Sequence, residues 1–317
     1  MTENRIEWVD MARGISMLAI ILFHTEVYYS GKDIIPYSMY VEDFLAVFFI
    51  LSGYLFLKPG KNMNPKRKLR SIFRHIVIPY LFFTTIISVP KALVHGRQID
   101  IAEIALNILN GEASWFVSSL ILSECYFMLI HWASKGKLPL LSFFSIMPFA
   151  LYMIFPGIKE YSIPCVSTIS TVFIFIGYIY RRTEIKVQSC QKIILPLSIV
   201  LLAIMKTYEI YNDSKMIFYW MDVDNYTLFF ADTICFSYIL INICCKIGRN
   251  RYIEWIGKRS LVYYFLCGGV PLIISKALPA YTEGTYLMVI TAFFLSVAAS
   301  TVITFFIYKY LPFILGR

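Results

Sequence analysis

The chain has 317 residues, of which 58% are hydrophobic and 15% are charged, and its net charge is +9. Apolar runs long enough to cross a bilayer recur along the whole length, which excludes a soluble globular protein. Nucleic-acid binding is the poorer interpretation of the positive charge, because the basic residues are scattered over loops that flank the apolar runs. The composition predicts one integral membrane domain, residues 1–317, with no appended soluble domain.

We predict an all-α bundle of ten transmembrane helices. Proline or glycine interrupts several of them, which membrane helices tolerate. Lys206 and Glu209 crowd the end of the seventh span and make it the weakest of the set. The predicted spans are 9–29, 37–57, 73–92, 115–133, 138–155, 163–180, 191–208, 226–245, 260–276 and 285–308.

Most of the 29 Lys and Arg residues fall on one side of this bundle. The positive-inside rule assigns that side to the cytoplasm, so both termini are expected there. The seven cysteines lie mostly within the spans and lack the spacing of metal ligands. We therefore interpret them as small core residues and predict no metal site.

The first predicted span contains three ionisable residues on one helix face. Arg13 lies three residues after Asp10, and His24 follows Arg13 by about three helical turns, so all three share a face. Ionisable groups inside a membrane are costly and are candidates for function, and imidazole transfers protons near neutral pH. We predict a strip that leads from the cytoplasmic surface toward the membrane centre. The alternative is a topology anchor at Asp10 and Arg13 with a packed histidine further along.

The second span ends in Phe48–Tyr54, where Ser52 and Gly53 are small enough to permit close helix approach. The loop over residues 58–74 is strongly basic and suits contact with anionic lipid. Arg70 and Arg74, one turn apart at the head of the third span, also suit phosphate binding.

Carboxylates also lie within or beside the spans. Glu124 and Asp232 are the deepest, and we predict that one of them orients His24 by accepting from its second ring nitrogen. Glu26, Glu42 and Asp43 fall near the outer face, where they either contact an acceptor or are simply solvated.

In their order and spacing these motifs resemble the acyltransferase 3 family of integral membrane acyltransferases, over almost the whole chain. One departure stands out: the family often has a histidine shortly after the tyrosine pair of the ninth span, where this sequence has Cys267. The residues that carry the resemblance are Asp10, Arg13, Gly14 and His24; Phe48, Phe49, Ser52, Gly53 and Tyr54; Arg70, Arg74 and Pro79; Trp115 and Phe116; and 257–264.

The resemblance implies an acyl-coenzyme A donor, commonly acetyl-CoA, that binds from the cytoplasm as a substrate and not as a permanent cofactor. It implies an acceptor hydroxyl on a cell-surface or lipid-linked glycan, in the bacterial plasma membrane. The expected catalytic residues are His24, as base or acyl carrier, with Arg13 and Asp10 organising the approach of the donor. The expected donor-binding residues are Arg70, Arg74, Ser52, Arg249 and Arg251.

Two other functions fit the same spans. A polytopic transporter of a glycan or small solute would share the architecture and the intramembrane charge without acyl-transfer chemistry. A membrane sensing module related to the family would lack catalysis altogether. Binding of acyl-CoA distinguishes the enzyme from the transporter.

Overall fold

The computed structural model of the chain describes residues 6–58, 60–94, 99–155, 162–282 and 286–316. Helices dominate, and the described residues contain one pair of two-residue strands, β1 (Met216–Ile217) and β2 (Asp222–Val223). The helices are α1 (Glu7–Ser30), α2 (Val41–Leu55), α3 (Pro65–Ile72), α4 (Ile78–Val94), α5 (Ile101–Leu109), α6 (Trp115–Ala133), α7 (Leu138–Ile154), α8 (Ser162–Ser189), α9 (Gln191–Tyr211), α10 (Tyr226–Ile247), α11 (Arg251–Gly257), α12 (Ser260–Leu266), α13 (Gly269–Ala277) and α14 (Tyr286–Tyr310).

The predicted all-α membrane fold is confirmed in this coarse form. Within the described ranges, six helices are long and apolar enough to cross a membrane, and α12 with α13 adds a seventh if that pair, bent by 49°, is one span. The six are Pro65–Ser88, Glu112–Ala133, Ile163–Ser189, Gln191–Tyr211, Tyr226–Ile247 and Tyr286–Tyr310. The count of ten spans and the cytoplasmic termini remain predictions.

The remaining predicted spans differ from the six in length or in charge. Helix α1 has 24 residues but carries several ionisable side chains. Helices α2 and α7 have 15 and 17 residues, short of the roughly 20 that cross a bilayer core. Residue 285, the first of the predicted tenth span, lies outside the described residues.

We expected a loop over residues 58–74, and from Pro65 onward this basic segment is helical. Asn64 caps α3 by accepting a hydrogen bond from the backbone N–H of Arg67 at 3.0 Å, and Pro65 occupies the first helical turn. A π-helical turn, Phe73–Val77, then joins α3 to α4. Arg70 and Arg74 therefore lie on continuous helical structure.

The chain divides into two compact units. The first contains residues 1–48, 189–217 and 223–309, and the second contains residues 49–188, 218–222 and 310–317.

In the first unit, α1 crosses α11 where two glycines face each other's helix backbone. A Cβ on Gly14 would overlap the carbonyl oxygen of Ile253, and a Cβ on Gly257 would overlap the carbonyl oxygen of Asp10. Small residues at such crossings let helix backbones approach closely. Both glycines belong to motifs that carry the family resemblance, and their role here is packing.

The second unit contains an equivalent crossing between α2 and α8. A Cβ on Gly53 would overlap the carbonyl oxygen of Ile174, and one on Gly177 would overlap that of Ile50. The close helix approach predicted from Gly53 is thus present, with Gly177 as its counterpart.

Replacing Gly177 by alanine should lower the free energy of unfolding by about 1–3 kcal/mol, because the added methyl group forces the two backbones apart. Gly269→Ala is the matched control, since nothing lies within 4 Å of its Cβ position. Thermal unfolding of the two purified variants in detergent measures the difference. Equal stability of Gly177→Ala and wild type would contradict the close crossing.

Candidate active site

His24 lies in the last third of α1, which ends at Gly31. Gly31 adopts φ +76° and donates its backbone N–H to the carbonyl oxygen of Val27 at 3.0 Å, which closes the helix with a left-handed cap. The imidazole of His24 is partly exposed and stacks on Tyr28, with 5.9 Å between ring centroids and 16° between planes. Among the residues that the structure describes, none hydrogen-bonds to its ring nitrogens. Both nitrogens are therefore available to a substrate.

Phe23 and Tyr28 lie beside this histidine, and an aromatic side chain paired with a carboxyl group contacts Phe23 in turn. The Phe23 ring lies 4.9 Å from the Tyr37 ring, edge to face, and the Tyr37 hydroxyl is hydrogen-bonded to the buried carboxyl group of Glu42. Such a mixture of flat apolar rings and hydrogen-bonding groups is typical of small-molecule sites.

A break in the helical structure lies beside the same part of α1. Helix α12 ends before Cys267 and α13 begins at Gly269, and the Tyr28 hydroxyl lies 3.9 Å from the Cβ position of Gly268. Non-helical backbone within membrane spans is tolerated where it is buried in protein or lines a cavity. We predicted that Gly268 and Gly269 interrupt the span over 260–276, and the break lies at these two glycines.

Cys267 lies near the place where the family resemblance implies a second histidine. Its thiol is buried and donates a hydrogen bond to the carbonyl oxygen of Tyr264 at 2.9 Å. The thiol is thus engaged by the backbone of its own helix.

The other two residues of the predicted strip lie at the opposite end of α1. Asp10 is buried, with a carboxylate oxygen 4.0 Å from Nζ of Lys258, and Arg13 is partly buried. At 1.5 Å per residue, Arg13 and His24 are about 16 Å apart along the helix axis. Lys258 also pairs with Glu254 at 3.1 Å, so α11 supplies an ion-pair network to this end of α1.

The two predicted donor-binding arginines of the first unit differ in whether a carboxylate already pairs with them. Arg249 is paired with Glu7 at 3.4 Å and with Glu254 at 3.2 Å. Arg251 is exposed, and in the part of the chain that the structure describes it has no acidic partner. Of the two, Arg251 is the one free to meet a phosphate.

In the second unit, Ser52 is committed to an internal contact. Its hydroxyl donates to the carboxylate of Glu124, and that carboxylate also pairs with Nζ of Lys68 at 2.9 Å. A buried serine used in this way is poorly suited to bind the donor. Arg70 and Arg74 are exposed on their helical segment, with no acidic partner within the described ranges.

The two deep carboxylates have partners other than the one we predicted. Glu124 is held by Ser52 and Lys68, and Asp232 pairs with Nζ of Lys206 at 2.6 Å. Among the described residues His24 donates no hydrogen bond to Asp232, one of the two carboxylates that we considered as its acceptor.

Lys206 is the residue that sequence reasoning missed. Besides Asp232, its Nζ lies 2.9 Å from Asp43 and 3.2 Å from Glu209, and all three carboxylates are buried. The charged residues at the end of the seventh predicted span were the signal in the sequence. In the structure they belong to a buried ion-pair network around Lys206.

One comparison with known proteins identifies a family. A family model described as an acyltransferase domain, Acyl_transf_3, matches residues 6–309, nearly the entire chain. No curated protein and no solved structure matches the sequence. The matched range includes the His24 helix, both glycine crossings and the broken α12–α13 pair. The chain therefore belongs to the acyltransferase 3 family and is a multi-pass membrane acyltransferase.

Proposed function

We propose that this protein transfers an acyl group, acetyl in the first instance, from acyl-CoA to a hydroxyl group of a cell-surface or lipid-linked glycan in the bacterial plasma membrane. The observation that carries the proposal is the imidazole of His24, without a hydrogen-bond partner among the described residues and beside a helix break, in a chain of this family. Intramembrane ionisable residues of this kind are functional candidates by default.

In the proposed reaction His24 acts as the general base. It takes the proton of the acceptor hydroxyl, whose oxygen attacks the carbonyl carbon of the thioester. The carbon–sulfur bond then breaks, and the imidazolium proton passes to the departing thiolate. Because a thioester is already activated, the remaining requirement is stabilisation of the oxyanion that develops on the carbonyl oxygen.

The surroundings of His24 support a sugar as acceptor. Phe23, Tyr28 and Tyr37 offer flat apolar faces, and the Tyr37–Glu42 pair offers hydrogen-bonding groups for hydroxyls. The opposite end of α1 supports an anionic donor, because Arg13 and the exposed Arg251 belong to the same unit. We assign Asp10 and Arg13 to organising the approach of the donor, and Arg70 and Arg74 remain candidates for its phosphates.

The test is acyl transfer by purified, detergent-solubilised protein. Incubation with radiolabelled acetyl-CoA and extracted lipid-linked or surface glycan should place label on the glycan and release an equal amount of free CoA thiol. Folded protein that neither binds acetyl-CoA nor releases thiol, but carries glycan into proteoliposomes, would contradict the proposal and identify a transporter.

A further inference from the structure

A basic cavity of about 1060 Å³ lies within the second unit. It is formed by the segment after α2, by the end of α6 with the turn that follows, and by the C-terminal half of α8. This volume is at the upper end of the range for small-molecule sites and is large enough for a nucleoside diphosphate.

The cavity walls carry an excess of positive charge. The cations are Lys58, Lys61, Lys135, Arg181 and Arg182, and they face one carboxylate, Glu184. Concave surfaces lined by one sign of charge concentrate ligands of the opposite sign.

The single carboxylate is already neutralised. Glu184 pairs with Arg181 at 3.3 Å and accepts a hydrogen bond from the Tyr54 hydroxyl at 2.8 Å. Lys61, Lys135 and Arg182, by contrast, have no acidic partner within the described ranges. Three cations thus remain for an anionic ligand.

Hydrogen bonds in the cavity wall fix the side chain of Arg182 in place. Nη1 of Arg182 donates to the Tyr178 hydroxyl oxygen at 3.1 Å, and the same hydroxyl lies 3.1 Å from Nε2 of His131. A guanidinium can only donate, so the Tyr178 hydroxyl oxygen accepts from Arg182, and the same hydroxyl is hydrogen-bonded to Nε2 of His131. Nδ1 of His131 is buried and has no hydrogen-bond partner among the residues that the structure describes. These hydrogen bonds hold the Arg182 guanidinium beside Tyr178 in the cavity wall.

An aromatic ring completes the set of binding groups. Trp132 lines the cavity and is 60% exposed, so much of its side chain is available to a ligand. Aromatic faces beside cationic side chains bind nucleotide bases by stacking and phosphates by charge.

We propose that this cavity binds the nucleotide end of the acyl-CoA donor, with Lys61, Lys135 and Arg182 on its phosphates and Trp132 on its base. This inference rests on the proposed acyl-CoA-dependent function. It assigns donor recognition to residues that the family resemblance did not indicate.

The test uses binding of adenosine 3′,5′-bisphosphate to the purified full-length protein, followed by calorimetry, together with acetyl-CoA kinetics. The double variant Lys61→Gln/Lys135→Gln should weaken nucleotide binding and raise the KM for acetyl-CoA, each by about 10-fold or more, with kcat nearly unchanged. Lys192→Gln, which removes an exposed charge on α9, should behave as wild type. His24→Ala should still bind the nucleotide.

The possible outcomes test the cavity assignment and the proposed function separately. Unchanged nucleotide affinity in the double variant, with acyl transfer intact, would overturn the cavity assignment alone. Wild-type protein that binds the nucleotide but transfers no acyl group, with binding lost in the double variant, would support the cavity and overturn the function. Stabilisation by phosphatidylglycerol without nucleotide binding would overturn the proposal and assign the cavity to a lipid headgroup.

Discussion

Replacing His24 by alanine should lower the rate of acyl transfer from acetyl-CoA by about 10²–10⁴-fold, the usual contribution of a positioned general base. The expectation follows from geometry, because the imidazole is held by stacking on Tyr28 while no described residue hydrogen-bonds to its nitrogens. Removing the ring costs the protein no hydrogen bond among the described residues. The loss should therefore appear in kcat, with folding and membrane insertion unchanged.

The control for this variant is His75→Ala. His75 is exposed, and its ring contact is a single approach of Nδ1 to the carbonyl oxygen of Leu315 at 3.4 Å. Release of CoA thiol and label on glycan should match wild type in His75→Ala and be lost in His24→Ala. Full turnover by a monodisperse His24→Ala protein would rule out His24 as the base.

The assay also separates the two chemical roles considered for His24. A general base leaves no acyl group on the protein, whereas an acyl carrier becomes labelled when acetyl-CoA is supplied without acceptor. We expect no label on denatured wild-type protein. Label that depends on His24 would reassign the imidazole as a transient acyl carrier.

The parts of the site that periodicity dictates could be predicted from the sequence. Asp10, Arg13 and His24 all lie in α1, and their spacing follows the 3.6-residue turn, which places them on one face of that helix. Gly53 was predictable as a packing residue because small residues permit close helix approach. Its partner Gly177 was not, because the pairing of α2 with α8 depends on tertiary structure.

The ion-pair partners of charged side chains could not be predicted from helical spacing. Arg249 and Arg251 differ by two positions in the sequence, yet the first is paired with carboxylates and the second is exposed. Similarly, Glu124, which accepts the hydrogen bond of the Ser52 hydroxyl, comes from a different helix, α6. Whether a cation is available to a ligand depends on contacts distant in the sequence, which spacing does not encode.

Replacing Lys206 by methionine should destabilise the protein by about 3–5 kcal/mol, the usual cost of removing one partner from a buried ion pair. The methionine keeps the aliphatic length of the side chain but leaves Asp43, Asp232 and Glu209 facing one another. Their contacts to Nζ of Lys206, between 2.6 and 3.2 Å, supply the positive charge that allows them to be buried together.

Two comparisons show whether the loss comes from charge. Lys192→Met on the same helix α9 removes an exposed lysine and should leave the free energy of unfolding within about 0.5 kcal/mol of wild type. Adding Asp43→Asn and Asp232→Asn to Lys206→Met should recover much of the lost stability, because both neutralised groups no longer need a counter-ion. Denaturant titration in mixed micelles measures all three variants.

A Lys206→Met protein as stable as Lys192→Met would mean that the carboxylates are buried in their protonated, neutral form and that Lys206 is not needed to hold them. In that case the three carboxyl groups around Lys206 would be protonated and would not form ion pairs with it.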